Sequence, residues 1–263
     1  MTSFSNEEVV IITGASSGIG AGSAAKFAQL GVAKLCLTGR NQEALNKTRS
    51  DCIAESKGRL NDSDFVIVTG DITNEIVCSE IVEKTVAQFG KIDILVNNAG
   101  MVNVGTFEHS PVAELDQLIN TNVRSIVVLT QLCIPYLKKT KGSVVNLSSL
   151  YGYRPIADAG YQCMAKAAVN MYTQCLAMEL APHGVRVNAV NPGLIRTNIL
   201  TRECMSAEEF ATMLEQAKSS HPLGRTGEVE DVANAIVFLA SKAASFMIGN
   251  LTPVDGGRNC VTN

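Results

Sequence analysis

The sequence has no apolar run that approaches the ~18–20 residues a membrane-spanning helix needs. Its first eight residues, MTSFSNEE, are polar and hold neither a basic segment nor a long apolar one, so we predict no signal peptide. Charge of one sign is not in excess either, since the formal net charge is −3. This near-neutral balance gives no reason to expect nucleic acid or an anionic membrane as a partner.

Cysteine spacings typical of disulfide frameworks or metal sites are also missing. The eight cysteines are scattered, without a C-x-x-C pair and without a histidine cluster nearby. They are Cys36, Cys52, Cys78, Cys133, Cys163, Cys175, Cys204 and Cys260. We therefore predict reduced, mostly buried thiols, no metal site and a cytoplasmic protein.

The chain does contain enough apolar material for one sizeable core, because 46% of its 263 residues are hydrophobic. Short β-branched runs alternate with helical patterns from end to end, with no repeat or linker between them. The predicted strands lie at residues 9–12, 34–38, 65–69, 93–96, 143–147, 185–190 and 251–254. This alternation predicts one α/β domain over residues 1–263, a doubly wound, largely parallel sheet of about seven strands with helices on both faces.

A glycine-rich turn, T-G-A-S-S-G-I-G at residues 13–20, follows the first predicted strand and leads into a predicted helix. Glycine lets a backbone approach a phosphate closely, and the free N–H groups at a helix N-terminus favour an anion. A tight turn without a ligand is the alternative interpretation. The position directly after the first strand favours a dinucleotide site of the Rossmann type.

The end of the second predicted strand indicates which dinucleotide binds. An acidic residue at this place would hold the ribose 2′-hydroxyl of NAD(H), and the sequence has none there. Arg40 stands there instead, and a guanidinium can pair with the 2′-phosphate of NADP(H). A solvated arginine at a strand end is the alternative, but we predict NADP(H) as the cofactor.

Further motifs follow in an order that resembles a known family. They are T-G-x-x-x-G-I-G, N-N-A-G, N-x-N, S-x-x-G, P-G-x-x-x-T and D-G-G, between about residues 9 and 257. This order resembles the classical short-chain dehydrogenases/reductases, and the C-terminal half is most similar to the 3-oxoacyl-acyl-carrier-protein-reductase type. The resemblance implies an NADP(H)-dependent oxidoreductase that interconverts a carbonyl and an alcohol on an unidentified small substrate. It also implies a homotetramer or homodimer.

The resemblance assigns cofactor contacts to the turns at the carboxyl edge of the sheet. Asp71 would meet the adenine, although it could equally cap the next helix, and Thr197 would meet a phosphate. Residues 194–220 would form a mobile substrate lid. The full set of implied contacts is Gly14, Ser16, Ser17, Gly18, Ile19, Gly20, Arg40, Asp71, Ile72, Asn98, Ala99, Gly100, Lys166, Pro192, Gly193, Ile195 and Thr197.

The implied catalytic group departs from the family at one position. Ser149 would orient the substrate oxygen, Lys166 would reach the nicotinamide ribose, and the backbone of Asn122 would hold a water of the proton relay. The family places a tyrosine, its proton donor, 13 residues after the serine and four before the lysine. Both counts give Gln162 here, and the nearest tyrosine, Tyr161, comes one residue early.

Two hypotheses follow from this departure, because an amide donates a hydrogen bond but delivers no proton at neutral pH. On a regular helix Tyr161 points ~100° away from Gln162, whereas a one-residue bulge would restore the phenol to the site. The ungapped register predicts Gln162 near Ser149 and Tyr161 on the neighbouring face. The chain is then either an active oxidoreductase, using Tyr161 or an altered donor, or a catalytically weak or inactive NADP(H)-binding homologue.

Overall fold

The structure is a computed structural model and describes residues 4–203 and 205–261. Cys204 and the two ends of the predicted 1–263 domain lie outside the described residues. All seven cysteines within them are free thiols. Four are buried, and burial raises the pKa of each of these four thiols, as predicted for inert core cysteines.

Seven parallel strands form one sheet in the order β3-β2-β1-β4-β5-β6-β7. They are β1 Val9–Thr13, β2 Lys34–Gly39, β3 Phe65–Thr69, β4 Ile94–Asn97, β5 Ser143–Leu147, β6 Arg186–Pro192 and β7 Leu251–Val254. The chain winds outward in one direction from β1 to β3 and in the other from β4 to β7. The predicted doubly wound parallel sheet is confirmed, and its order reverses between β1 and β4.

Helices connect the strands and cover both faces of the sheet. They are α1 Gly18–Gln29, α2 Gln42–Glu55, α3 Glu75–Phe89, α4 Val112–Ile119, α5 Ser125–Thr140, α6 Gly160–Leu180, α7 Ile199–Glu203, α8 Ala207–Ser220 and α9 Val229–Ala240. None of the helices in the described part of the chain is long and apolar enough to cross a membrane.

Alternation along β1 explains why the strands are apolar throughout. Val10 and Ile12 pack with α1, α2 and α9, whereas Ile11 packs with α3, α5 and α6 on the other face. All three side chains are fully buried. Successive residues of a strand point to opposite faces, so a parallel strand covered on both faces needs apolar residues at every position.

Two helical segments differ from the sequence prediction in ways that matter for the site. The helix predicted over residues 165–179 begins earlier, at Gly160, and is α-helical to Leu180. Residues 120–124, between α4 and α5, form a π-helical turn. Single π turns of this kind are frequent at functional sites.

The predicted lid region holds two helices where the sequence predicts one. The expected amphipathic helix is α8, which begins with a capping box between Ser206 and Glu209. The unexpected one is α7, five residues long and too short for its periodicity to be recognised. It approaches the carboxyl edge of the sheet.

Candidate active site

A cleft of about 220 Å³ opens at the carboxyl ends of the strands, across the point where the strand order reverses. Most of the predicted cofactor contacts line it, namely Gly14, Ser16, Ser17, Gly18, Ile19, Arg40, Asp71, Ile72, Asn98, Ala99, Gly100 and Thr197. The remaining predicted contacts, Gly20, Lys166, Pro192, Gly193 and Ile195, do not line this cleft. Of these, Ile195 belongs to the hydrophobic core.

The glycine-rich turn has the backbone geometry that its sequence predicts. Gly14 and Gly18 have φ values of 65° and 54°, in the left-handed region that favours glycine. A Cβ on Gly14 would lie 2.8 Å from the Asn98 amide nitrogen and 2.9 Å from the Ala99 Cα. The turn therefore packs directly against the residues that follow β4.

The N-terminus of α1 fits the pyrophosphate of a dinucleotide. Its N-cap, Ser17, makes no side-chain capping bond, and no acidic residue stands in the first turn. The first N–H groups of α1 thus have neither a capping side chain nor a competing carboxylate. Since Ser16, Ser17 and Gly18 line the cleft, these groups would hold the cofactor phosphates.

Thr13, a cleft residue that the sequence prediction omits, joins the turn to β4. Its hydroxyl oxygen accepts the N–H groups of Asn98 and Ala99, both at 2.9 Å. The Asn98 amide donates back to the carbonyl oxygens of Thr13, at 2.9 Å, and Gly14, at 3.3 Å. In the sequence, this role is indicated by the threonine with which the motif T-G-A-S-S-G-I-G begins.

Arg40 and Asp71, which follow strands β2 and β3, also line the cleft. The Asp71 carboxylate accepts the N–H of Thr73 at 2.9 Å and its hydroxyl at 2.8 Å. The pKa of Asp71 is lowered mainly by the bond from the Thr73 backbone, then by the Thr73 hydroxyl and by the charge of Arg40. Asp71 does not cap α3, as one alternative expected, because Asn74 is the N-cap and accepts the Ile76 N–H at 2.9 Å.

Helix α7 contributes residues to this cleft that the sequence prediction assigns only to the lid. Asn198, Ile199 and Arg202 line the cleft together with Thr197. Arg202 is exposed and lies on the same cleft as Arg40, so two guanidinium groups border the site. Two cations suit a ligand with several phosphate groups.

Ser149 and Lys166 are held by backbone groups close to Leu147, a residue that lines the cleft, although neither of the two lines it. Lys166 is buried, and its Nζ donates to the Leu147 carbonyl oxygen at 2.9 Å. Burial lowers the pKa of Lys166 to about 8. The Ser149 hydroxyl oxygen accepts the Tyr151 N–H at 3.2 Å, whereas the neighbouring Ser148 hydroxyl donates to the Lys166 backbone at 3.1 Å. The Ser148 hydroxyl hydrogen is thus used in a structural contact, whereas Ser149 only accepts and keeps its hydrogen, so Ser149 is the candidate for substrate contact.

In the structure, Gln162 and not Tyr161 lies one helical turn before Lys166, as the ungapped count along the sequence predicts. Because α6 is regular from Gly160, no bulge brings Tyr161 to the place of Gln162. The Tyr161 hydroxyl donates to the Ser110 carbonyl oxygen at 3.2 Å, and its ring meets Phe107 edge-on with centroids 5.5 Å apart. The Gln162 side chain is 3% exposed, and its Oε1 accepts from Asn122 Nδ2 at 3.4 Å.

A buried polar network beneath the site was not anticipated from the sequence. The Asn97 amide donates to the Thr130 hydroxyl at 3.0 Å and to Asn146 Oδ1 at 2.9 Å. The Asn146 amide in turn donates to the Thr173 hydroxyl at 2.9 Å. The network joins β4, β5, α5 and α6, which explains why the otherwise apolar strand β5 contains an asparagine.

Known proteins match this chain over nearly its whole length. A family model described as Enoyl-(Acyl carrier protein) reductase matches residues 14–259. The 3-oxoacyl-(acyl-carrier-protein) reductase FabG of Thermotoga maritima is 35% identical over 253 residues, which cover 95% of this chain and 97% of that protein. The meso-2,3-butanediol dehydrogenase of Serratia marcescens is 32% identical over 252 residues, covering 96% and 94%. A short-chain dehydrogenase/reductase of unknown function from Caenorhabditis elegans, solved with cofactor, has a TM-score of 0.92 at 34% identity, covering 98% and 97%.

The chain belongs to the short-chain dehydrogenase/reductase family. Its relatives in this family are oxidoreductases named for alcohol and carbonyl substrates. The family match spans the glycine-rich turn, Ser149, Lys166 and the lid region. Counted from Ser149 and from Lys166, Gln162 stands where the resemblance implies a tyrosine, and the geometry around Gln162 bears on what the site can do.

Proposed function

We propose that this short-chain dehydrogenase/reductase binds NADP(H) and interconverts a carbonyl and an alcohol, with turnover kept slow by Gln162. The observation that supports it most is the combination of Lys166 and Ser149 with a glutamine at the donor position. When bound, the nicotinamide supplies the hydride. The protein's part is to bind the cofactor, orient the substrate oxygen and manage the proton.

Each residue contributes to these tasks according to its bonds. The Ser149 oxygen accepts the Tyr151 N–H, so its own hydrogen can be donated to a substrate oxygen. Gln162 can add an N–H bond to that oxygen but cannot protonate it. Proton delivery would then fall to water or to Lys166, and loss of a positioned acid typically costs ~10²–10⁴-fold in rate.

A second candidate is an NADP(H)-binding protein without useful catalysis. The position of Tyr161 favours it, since the hydroxyl is bonded to Ser110 and the regular α6 offers no bulge that would return it to the site. Binding or assembly would then be the role of the chain. The cofactor cleft is common to both candidates.

One assay separates the candidates. NADPH binding is measured first by fluorescence titration, and NADPH oxidation is then followed against a panel of ketones, aldehydes and acyl thioesters. We expect binding together with slow oxidation for at least one carbonyl class. Binding without oxidation of any substrate would favour the second candidate, and failure to bind either nicotinamide cofactor would contradict both.

Arg40 is predicted to make the chain prefer NADPH to NADH. Hydrogen bonds to charged groups contribute ~1.5–3 kcal/mol, so the expected preference is about tenfold or more. Arg40→Ala should remove most of it by weakening NADPH binding alone. Lys47→Ala, on α2, is the control for a change in net charge, because Lys47 is an exposed residue paired with Asp51. Equal affinities for both cofactors in the unchanged protein would contradict the prediction.

We also propose a homotetramer, or at least a two-fold dimer, that uses the outer face of α6. Met164, Met171 and Met178 are 48%, 59% and 78% exposed there, an unusual amount of apolar surface for one helix. Ala165, which the sequence prediction placed on this face, is buried in the core instead.

Light scattering at micromolar concentration should give a dimeric or tetrameric mass for the unchanged protein. Met171→Glu should reduce that mass, because a carboxylate would be buried in the contact without a partner. A monomeric mass for the unchanged protein would contradict the proposal.

The predicted cytoplasmic location is supported by the free thiols of the described residues and stays a prediction.

A further inference from the structure

The turn that follows Ser149 orients the Ser149 hydroxyl. Residues Leu150–Gly152 form one turn of 3-10 helix, and the Ser149 hydroxyl oxygen accepts the Tyr151 N–H at 3.2 Å. The Ser149 carbonyl oxygen accepts the Gly152 N–H at 3.0 Å. Because both bonds run from the turn back to Ser149, the direction of its hydroxyl depends on how the turn is held.

Two side chains attach the far end of this turn to the last part of the chain. The Tyr153 hydroxyl donates to the Leu251 carbonyl oxygen, on β7, at 2.6 Å. Arg154 Nη1 donates to the carbonyl oxygens of Arg258, at 2.8 Å, and Val261, at 2.7 Å. These contacts join residues that are 98 to 107 positions apart in the sequence. The turn is thus anchored on β7 and on the segment that follows β7.

Asp255 shapes the segment that follows β7. Its carboxylate accepts the N–H groups of Gly257, at 3.1 Å, and Asn259, at 2.7 Å. Its carbonyl oxygen accepts the Arg258 N–H at 3.0 Å, and residues 258–260 form a second turn of 3-10 helix. Bonds from one residue to three N–H groups fix the backbone of the segment, so its carbonyl oxygens have defined positions.

Asp255 also packs against the turn after β6, where the sequence predicts a cofactor contact at Gly193. A Cβ on Gly193 would lie 2.9 Å from the Asp255 Cβ and 3.0 Å from its Cα. The Gly193 N–H donates to the Val254 carbonyl oxygen at 3.0 Å. The segment after β7 therefore contacts two parts of the site, the turn at Gly193 directly and the turn after Ser149 through Arg154.

From these contacts we infer that residues 255–261 act as a brace for the active site, and that Arg154 is a positioning residue for the Ser149 hydroxyl. The inference rests on the proposed function, in which Ser149 contacts the substrate oxygen. Asn191 Nδ2 donates to the Ser149 carbonyl oxygen at 2.9 Å and holds the Ser149 backbone from β6. The bond from Asn191 does not reach the turn that bonds the Ser149 hydroxyl. Loss of the Arg154 contacts would therefore loosen this turn and leave the strands in place.

The test is amide hydrogen exchange, followed by NMR in Arg154→Ala and in the unchanged protein. The N–H groups of Tyr151 and Gly152, which bond to Ser149, should exchange at least ~10-fold faster in the variant, the lower end for hydrogen bonds made by a charged group. The brace N–H groups of Asn259 and Cys260 should exchange faster as well. Faster exchange confined to the brace would show that Arg154 only anchors the C-terminal segment, and would overturn the inference.

Three further variants separate this effect from a general loss of stability. Arg154→Lys keeps a charged donor for the brace and should restore most of the slow exchange. Arg59→Ala is the matched control, because Arg59 likewise donates to two backbone carbonyl oxygens, those of Ala28 and Gln29 at the end of α1. Equally fast exchange of the turn in Arg59→Ala would overturn the inference. Tyr153→Phe replaces Arg154→Ala where the latter fails to fold, with ~2–10-fold faster exchange expected for the loss of a neutral bond and no change counting against the brace.

Turnover and NADPH affinity are measured on the same variants. In Arg154→Ala, kcat for the best carbonyl should fall at least ~10-fold with nearly unchanged NADPH affinity, whereas Arg59→Ala should keep both. An unchanged kcat despite faster exchange of the turn would show that the brace does not position Ser149, and would overturn the inference. A protein that oxidises no substrate would contradict the proposed function alone, because the exchange experiment needs no turnover and still decides the role of Arg154.

Discussion

Gln162→Tyr is expected to raise NADPH-dependent turnover by ~10²–10⁴-fold, the usual contribution of a positioned general acid. The new phenol would stand one helical turn before Lys166, whose ammonium favours the phenolate and brings the pKa of a tyrosine toward neutrality. A tyrosine that can both donate and recover a proton would replace an amide that can do neither. The measurement is the initial rate of NADPH oxidation with the best carbonyl of the panel.

Tyr161→Phe is the matched control and should change turnover little, because the Tyr161 hydroxyl is bonded to Ser110. The opposite pattern, with Tyr161→Phe abolishing activity and Gln162→Tyr without benefit, would show that Tyr161 is the proton donor. The Gln162→Tyr protein should also be melted thermally. Gln162 is buried, and a larger ring there typically costs ~1–3 kcal/mol of stability.

The sheet and the register of α6 could both be predicted from local patterns. Apolar runs that alternate with helical patterns lead to a parallel sheet, and β3, β5 and β7 have the bounds that their β-branched runs predict. The register at Gln162 followed from two independent counts, from Ser149 and from Lys166. A regular α6 is what those counts require.

The contacts that orient the site could not be predicted, because they join distant parts of the chain. Asn122 and Gln162 are 40 residues apart, and Tyr161 and Ser110 are 51 apart. The identity of an amide does not reveal which partner it will find after folding. The sequence assigns Arg202 only to the lid, and its position on the cleft was missed for a different reason, since α7 is too short to give a periodic pattern.

Gly20→Ala is expected to weaken NADPH binding by about 100-fold. Gly20 is buried at the start of α1, and a Cβ there would overlap the Gly14 carbonyl oxygen and the Asn98 side-chain nitrogen. The Asn98 amide bonds to Thr13 and Gly14 hold the glycine-rich turn against β4, so the added methyl would force these groups apart. Overpacking against backbone typically costs ~1–3 kcal/mol, and ~2.7 kcal/mol corresponds to about 100-fold in affinity.

Gly22→Ala separates this effect from a general loss of stability. A Cβ on Gly22 would meet the side chain of Val229 at the contact between α1 and α9, away from the cofactor turn. Both variants should melt at lower temperature than the unchanged protein, but Gly22→Ala should keep nearly normal affinity for NADPH. Normal NADPH affinity in a folded Gly20→Ala protein would show that the cofactor does not depend on the close contact between this turn and Asn98.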